Sequence, residues 1–289
     1  MQLARALSVR HIRCLRFGPA WVVIRGTAIF SAYNPLYSLA GFFVGMLVGM
    51  TGVGGGSLMT PILVLLFNFH PATAVGTDLL YASVTKSVGT AVHGSRKSVD
   101  WHIVAALASG SVPTAIVTLF VMSRVGTLAE HATVVLDLLL GIVLVLTSIS
   151  IFFRPLFLRW AGPRLDHTSA RGISGWTVLL GAVLGILVSV TSVGAGALGT
   201  TALLMLYPRL PVARIAGSDI AHAVPLTLIA GIGHLLMGSV NLTLMLALLA
   251  GSIPGIIIGS LVASNVSDKL LRIVLATTLF IVAVRLLMN

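Results

Sequence analysis

The sequence predicts an all-α membrane protein of eight transmembrane helices. They form a tandem duplication of a four-helix unit, with the first helix of each half broken by a Gly-rich stretch. Three observations carry this. Apolar residues make up 57% of the 289-residue chain and charged residues only 9%, where soluble domains carry about a quarter charged. Eight apolar runs approach the ~20 residues that a ~30 Å hydrocarbon core demands. Two Gly-rich interruptions, far apart in the chain, match each other residue for residue over much of their length.

Residues 1–35 stand apart. They hold Arg5, Arg10, Arg13, Arg16 and Arg25, and the first acidic residue anywhere is Asp78. This composition reads as a basic cytoplasmic leader, with a signal or transit peptide as the alternatives. The apolar runs follow at 36–67, 74–93, 101–122, 131–152, 176–206, 215–237, 243–263 and 270–288. The first and fifth are too long for one straight span. Each is interrupted, by Thr51-Gly52-Val53-Gly54-Gly55-Gly56-Ser57 and by Thr191-Ser192-Val193-Gly194-Ala195-Gly196-Ala197. Adjacent glycines weaken a helix, so each run is expected to break there.

The repeat extends beyond the glycines. At an offset of 140, Gly41, Gly45, Thr51, Val53, Gly54, Gly56 and Leu58 meet identical residues in 181–198. One inserted residue later, Gly76-Thr77-Asp78 matches Gly217-Ser218-Asp219 and His93 matches His234. Ser98-Val99-Asp100 matches Ser239-Val240-Asn241, and Gly110-Ser111-Val112-Pro113 matches Gly251-Ser252-Ile253-Pro254. An ordered series that includes Asp and His marks duplication rather than composition. The organisation is a leader (1–35), a first repeat (36–153), a basic linker (154–175) and a second repeat (176–288).

The net charge of +11 sits mostly in short loops. That pattern orients a membrane protein and does not suggest nucleic acid. Eight spans with the N-terminus inside put twelve Lys and Arg on the inner side and five outside. Both termini are then cytoplasmic and the repeats are parallel. If the first segment of each half is re-entrant instead, the halves are inverted and the split is seven against ten.

Ionisable residues within the runs are few: Asp78, Lys86, His93, Asp137, Asp219, His222, His234 and Arg285. Each is costly in hydrocarbon, so it is expected to face a cavity or a partner. On a helical wheel Asp78, Lys86 and His93 share one face, as do Asp219, His222 and His234. Lys86 has no second-half counterpart, since Thr227 holds that place. The functional reading is an anion site between the halves. Lys86 supplies positive charge. Thr51, Gly54, Gly55, Gly56 and Ser57, with Thr191, Ser192, Gly194 and Gly196, offer hydroxyls and backbone N–H groups at the helix breaks. Asp78, His93, Asp219, His222 and His234 are candidate proton carriers, because His titrates near neutrality.

Plainer readings stand beside this one. Lys86 pairs with Asp78 or Asp137 to neutralise a buried charge. Asp78 and Asp219 cap helices. His93 and His234 bond at the membrane interface. No catalytic constellation, cofactor motif or metal-ligand spacing is present. The Gly run lacks the Gly-Lys-Ser/Thr of a P-loop, and Cys14 is the single cysteine.

The run Gly41 to Pro61, with its Thr-Gly-Val-Gly-Gly-Gly core, resembles the signature of the sulfite exporter TauE/SafE family, also called the toluenesulfonate uptake permeases. So do Val75-Gly76-Thr77-Asp78, His93 and Val99-Asp100-Trp101, together with their second-half counterparts. The resemblance covers about 36–288; Asp78 and Lys86 depart from its commonest form. It implies a secondary transporter in the bacterial inner membrane for small sulfur-containing anions such as sulfite or sulfonates, driven by the proton gradient. Its partners are then a small anion and the lipid bilayer, and the sequence leaves the oligomeric state open. A rival from another class is a non-transporting membrane assembly or scaffold protein.

Overall fold

The computed structural model describes residues 35–51, 56–95, 98–125, 132–156, 170–262 and 267–288. These form helices and turns, with no strand among the described residues. The first half supplies α1 (Pro35–Thr51), α2 (Gly56–Leu65), α3 (Pro71–Ser95), α4 (Trp101–Val125) and α5 (Ala132–Phe152). The second supplies α6 (Ala170–Thr191), α7 (Ala197–Leu206), α8 (Val212–Leu236), α9 (Leu242–Val262) and α10 (Asp268–Met288). Six of these, α4, α5, α6, α8, α9 and α10, are long and apolar enough to cross a membrane, where eight spans are expected from the sequence. α2 and α7 have only 10 residues each, about 15 Å of helix. The leader 1–34 lies outside the described residues.

Local chemistry sets the helix ends. Proline opens α3 at Pro71, where its missing N–H costs nothing. Asp100 and Asn241 cap α4 and α9, accepting the N–H of His102 and Leu244 at 3.1 and 3.0 Å. Gly238, at φ 76°, closes α8 in a left-handed turn, with Ser239 N–H bonded to His234 O and Gly238 N–H to Leu235 O. At the second break, Gly194 and Gly196 hold φ 121° and 123°, a region that β-carbons disfavour.

Corresponding helices of the two halves run in opposite directions. On α3 and α8, Gly76 lies against His234 and Ser239, Gly231 against Leu80 and Gly89 against Ile220, so these helices are antiparallel. On α5 and α10, Gly141 meets Leu287 and Ser148 Oγ donates to Ala276 O at 2.8 Å, also antiparallel. α1 and α9 run parallel, with Gly41 against Leu248 and Gly45 against Ser252. α4 and α6 do the same, with Leu107 against Gly181 and Ser111 against Gly185. α1 therefore points the same way as α3, and α2 runs back between them.

This corrects the parallel, eight-span arrangement. Each half opens with a helical hairpin, α1–α2 or α6–α7, that enters and returns to one face. Three longer helices then follow. The deciding observation is direction, not length: at the break Ser192 reaches Asp78, which lies beside the end of α8, whereas Thr200 farther along α7 reaches Asp219 near the start of α8. The packing keeps its pattern when the halves are exchanged. α1 on α9 corresponds to α6 on α4, while α3 on α8 and α5 on α10 map onto themselves. Residues 34–289 accordingly form one compact unit.

Glycine makes the closest of these seams. A β-carbon at Gly251 would run into Ser38 O, at Gly255 into Phe42 O and at Gly259 into Met46 O. Gly110 and Gly181 do the same for α4 and α6. In a bilayer, where lipid is as apolar as leucine, such small-residue contact supplies the packing that holds helices together. Outward faces carry exposed Phe43, Phe120, Val117, Leu138, Leu146 and Leu179, as a lipid-facing surface requires.

Candidate anion site at the re-entrant tips

α3 is 25 residues long, about 37 Å, and Lys86 lies near its middle. Asp78 lies two turns earlier. α8 crosses beside it in the opposite sense and carries Asp219 and His222 in its first half. All four side chains are buried: Asp78 0% exposed, Lys86 4%, Asp219 0% and His222 0%. The tip of the α6–α7 hairpin reaches this level, since Lys86 Nζ donates to Ala195 O at 3.2 Å.

Each Asp fastens a half-helix. Thr60 on α2 donates to Asp78 Oδ2 at 2.6 Å, and Thr200 on α7 donates to Asp219 Oδ2 at 2.8 Å. Asp78 also accepts Ser192 Oγ at 2.9 Å, so it ties both hairpins together. Asp219 also accepts backbone N–H groups of Gly196 and Thr200, at the start of α7; the position matching Ser192 in the first half is Gly52, which has no hydroxyl. Asp219 lies against Gly199, in the first turn of α7, where a β-carbon would collide with its carboxylate. The positive end of that half-helix thus faces a carboxylate of the protein itself. Neither Asp caps its own helix, contrary to the plainer expectation. Each sits at the eighth residue of a 25-residue helix and bonds to a neighbouring one.

The repeated motifs around these acids hold the halves together. Thr77 accepts the backbone N–H of Asn241 at 3.0 Å, and Ser218 accepts that of Asp100 at 2.8 Å. Gly76 leaves room for Ser239 O. Each Gly-Thr/Ser-Asp triplet therefore seats the loop of the other half and clamps a half-helix of its own.

Lys86 makes no ion pair among the described residues, although both Asp78 and Asp219 act on its charge through space. Asp137 is elsewhere, on α5 within the influence of His70. The expected neutralising contact pair with Asp78 or Asp137 is therefore not formed. His222 Nε2 bonds to Ser111 Oγ at 2.8 Å. His234, in the last turn of α8, is 1% exposed, and its Nε2–H donates to Ser189 O at 2.9 Å, which fixes a proton on that nitrogen. Among the described residues, several buried polar atoms near this crossing have no hydrogen-bond partner: Asp78 Oδ1, Asp219 Oδ1 and His222 Nδ1. Unpaired atoms of this kind are costly in a dry interior and fit one that takes water or a polar substrate.

Of the residues singled out from sequence, Lys86, Asp78, Asp219, His222, Ser192, Gly194 and Gly196 converge here. The hydroxyls of Ser192 and Thr191 are engaged by the protein, Ser192 on Asp78 and Thr191 on Leu187 O at 2.7 Å. His234 lies farther along α8, against α6. Gly54 and Gly55 lie outside the described residues, as do the side chains of Thr51, Ser57 and His93; Gly56 begins α2. Sequence reasoning missed Thr60, Thr200, Ser111 and the Ala195 carbonyl. Thr60 and Thr200 are themselves matched at the offset of 140, two residues beyond the aligned window.

Comparison with known proteins points to a family of membrane transporters. Residues 37–286 match the family described as Sulfite exporter TauE/SafE. The Probable membrane transporter protein YjnA of Bacillus subtilis is 39% identical over 256 residues, spanning 86% of this chain and 98% of that protein. The Probable membrane transporter protein MJ0441 of Methanocaldococcus jannaschii is 25% identical over 272 residues, 88% of this chain and 95% of that protein. No solved structure matches.

Proposed function

The chain belongs to the sulfite exporter TauE/SafE family of membrane transporters, and from that premise we propose that it is a proton-coupled secondary transporter for small sulfur-containing anions, sulfite or sulfonates, in the bacterial inner membrane. The observation that carries this is Lys86: a buried cation held at a re-entrant tip, near mid-membrane, without a contact ion pair among the described residues. An anion entering beside it meets the positive charge and the backbone of the tip. Thr51, Gly54, Gly55, Gly56 and Ser57 of the first break are the sequence's further candidates for contact with the anion.

The charge balance supports coupling. One lysine and two carboxylates leave the site with a formal charge of −1 when all are ionised, which repels an anion. A proton on Asp78 or Asp219 removes that repulsion, and His93, His222 and His234 extend the path toward the two faces. We read the halves as duplicated units that now run inverted. The two hairpins, joined at Asp78, are the elements that move for alternating access.

The test is counterflow of sulfite and sulfonates in liposomes holding the purified full chain, with and without an imposed pH gradient. Saturable counterflow, accelerated by the gradient, is the expected result. Folded protein that exchanges neither anion would overturn the substrate assignment.

The helix directions also change the orientation. α1 begins, and α10 ends, on one face; with the five leader arginines, Arg124 and Arg285 that face carries seven Lys and Arg. The segments at the other face carry ten Lys and Arg, including the linker 154–175. The excess of ten over seven is small; on it we read the linker face as cytoplasmic and both ends of 35–288 as lying on the opposite side, the reverse of the eight-span expectation. Single cysteines in a Cys14→Ser background test this on intact cells. Ser123→Cys should react with an impermeant maleimide and Arg209→Cys should not; the opposite pattern would refute the orientation.

A further inference from the structure

At the linker face, α5 and α10 part to leave a cavity of about 180 Å³ lined by Ile151, Phe152, Pro155, Lys269, Arg272 and Ile273. Lys269, Arg272 and Ile273 stand three and four residues apart, on one side of the first turns of α10. Phe152 and Ile273 are 56% and 42% exposed on the lipid-facing surface. The cavity thus joins two cations at headgroup depth to an apolar wall that continues into the bilayer.

We propose that this cavity binds the headgroup of an anionic phospholipid, the phosphate on Lys269 and Arg272 and an acyl chain along Ile151, Phe152 and Ile273. A molecule with one anionic and one apolar end matches both parts of the lining. A free phosphate ion matches only the cations, and a zwitterionic lipid brings its own positive charge to them. Basic pockets between membrane helices recognise anionic headgroups by this chemistry. The site lies where α5 of the first half meets α10 of the second, so a bound lipid bridges the halves. The inference does not depend on the transported substrate.

Native mass spectrometry of the full chain in mild detergent tests it, with phosphatidylglycerol, phosphatidylcholine of the same acyl chains, and inorganic phosphate as probes. Phosphatidylglycerol should be retained in preference to phosphatidylcholine. Lys269→Gln and Arg272→Gln should each weaken retention about fivefold, and Lys269→Gln should do so with the lipid-free thermal midpoint unchanged. Arg124→Gln, on the opposite face beside the Phe120 ring, should leave retention unchanged. Equal retention of the two lipids, or full retention by the double variant, would overturn the proposal. So would loss of phosphatidylglycerol to millimolar phosphate, which would mark a free-anion site. If Arg272→Gln fails to fold, Lys269→Gln alone decides, because Lys269 is exposed.

Discussion

Lys86→Gln should lower anion flux by about 100-fold or more and leave a folded, monodisperse protein. The substitution removes the buried charge but keeps an N–H donor on the α3 face beside Ala195 O. Folding should survive, because burying a cation away from water is itself unfavourable and its removal relieves that cost. Transport should not survive. With the cation gone, Asp78 and Asp219 dominate the site, and an entering anion meets only like charge or neutral acids. Lys86→Arg, which keeps the charge, should retain measurable flux. Counterflow in liposomes, normalised to protein verified by size exclusion, reads both. Wild-type flux from folded Lys86→Gln would remove the lysine from the substrate path and leave it as a clasp on the α6–α7 tip.

Gly251→Leu should prevent recovery of folded protein, and Gly251→Ala should lower the thermal midpoint by about 3–10 °C. A β-carbon at position 251 meets backbone atoms of Ser38 and Phe42, with Ser38 C at 2.6 Å and Phe42 N at 2.9 Å. Backbone within a helix cannot rotate away, so α1 and α9 must separate along their shared seam. Gly175→Ala and Gly94→Ala are the controls, since a β-carbon at either meets nothing within 4 Å. Normal stability of Gly251→Leu would contradict the parallel contact between α1 and α9, and with it the inverted arrangement of the halves.

Much of the candidate site is legible in the sequence because hydrocarbon makes charge conspicuous. Asp78, Lys86, Asp219 and His222 stand out as rare ionisable residues in apolar runs, and a helical wheel already puts them on matched faces. What they bond to is not legible. Thr60, Thr200 and Ser111 are ordinary hydroxyl residues in apolar helices, where such side chains commonly bond to their own backbone, as Thr85 and Thr227 do here. Their partners lie on other helices, which a wheel drawn for one helix cannot represent. The Ala195 carbonyl carries no residue-type signal at all.

By itself the sequence indicated an all-helical membrane chain, the positions of the breaks and the internal matches read as a duplication. These rest on local composition and on comparison of the chain with itself. Only the tertiary structure decided direction. Hydropathy reads the same along a span whichever way the span runs, so the apolar runs fit parallel and inverted halves equally. The choice rests on whether the short helix after each Gly break continues across the membrane or turns back. Contacts between distant segments make that choice: Thr60 and Thr200 fastened to Asp78 and Asp219, and glycines that admit only one backbone alongside them.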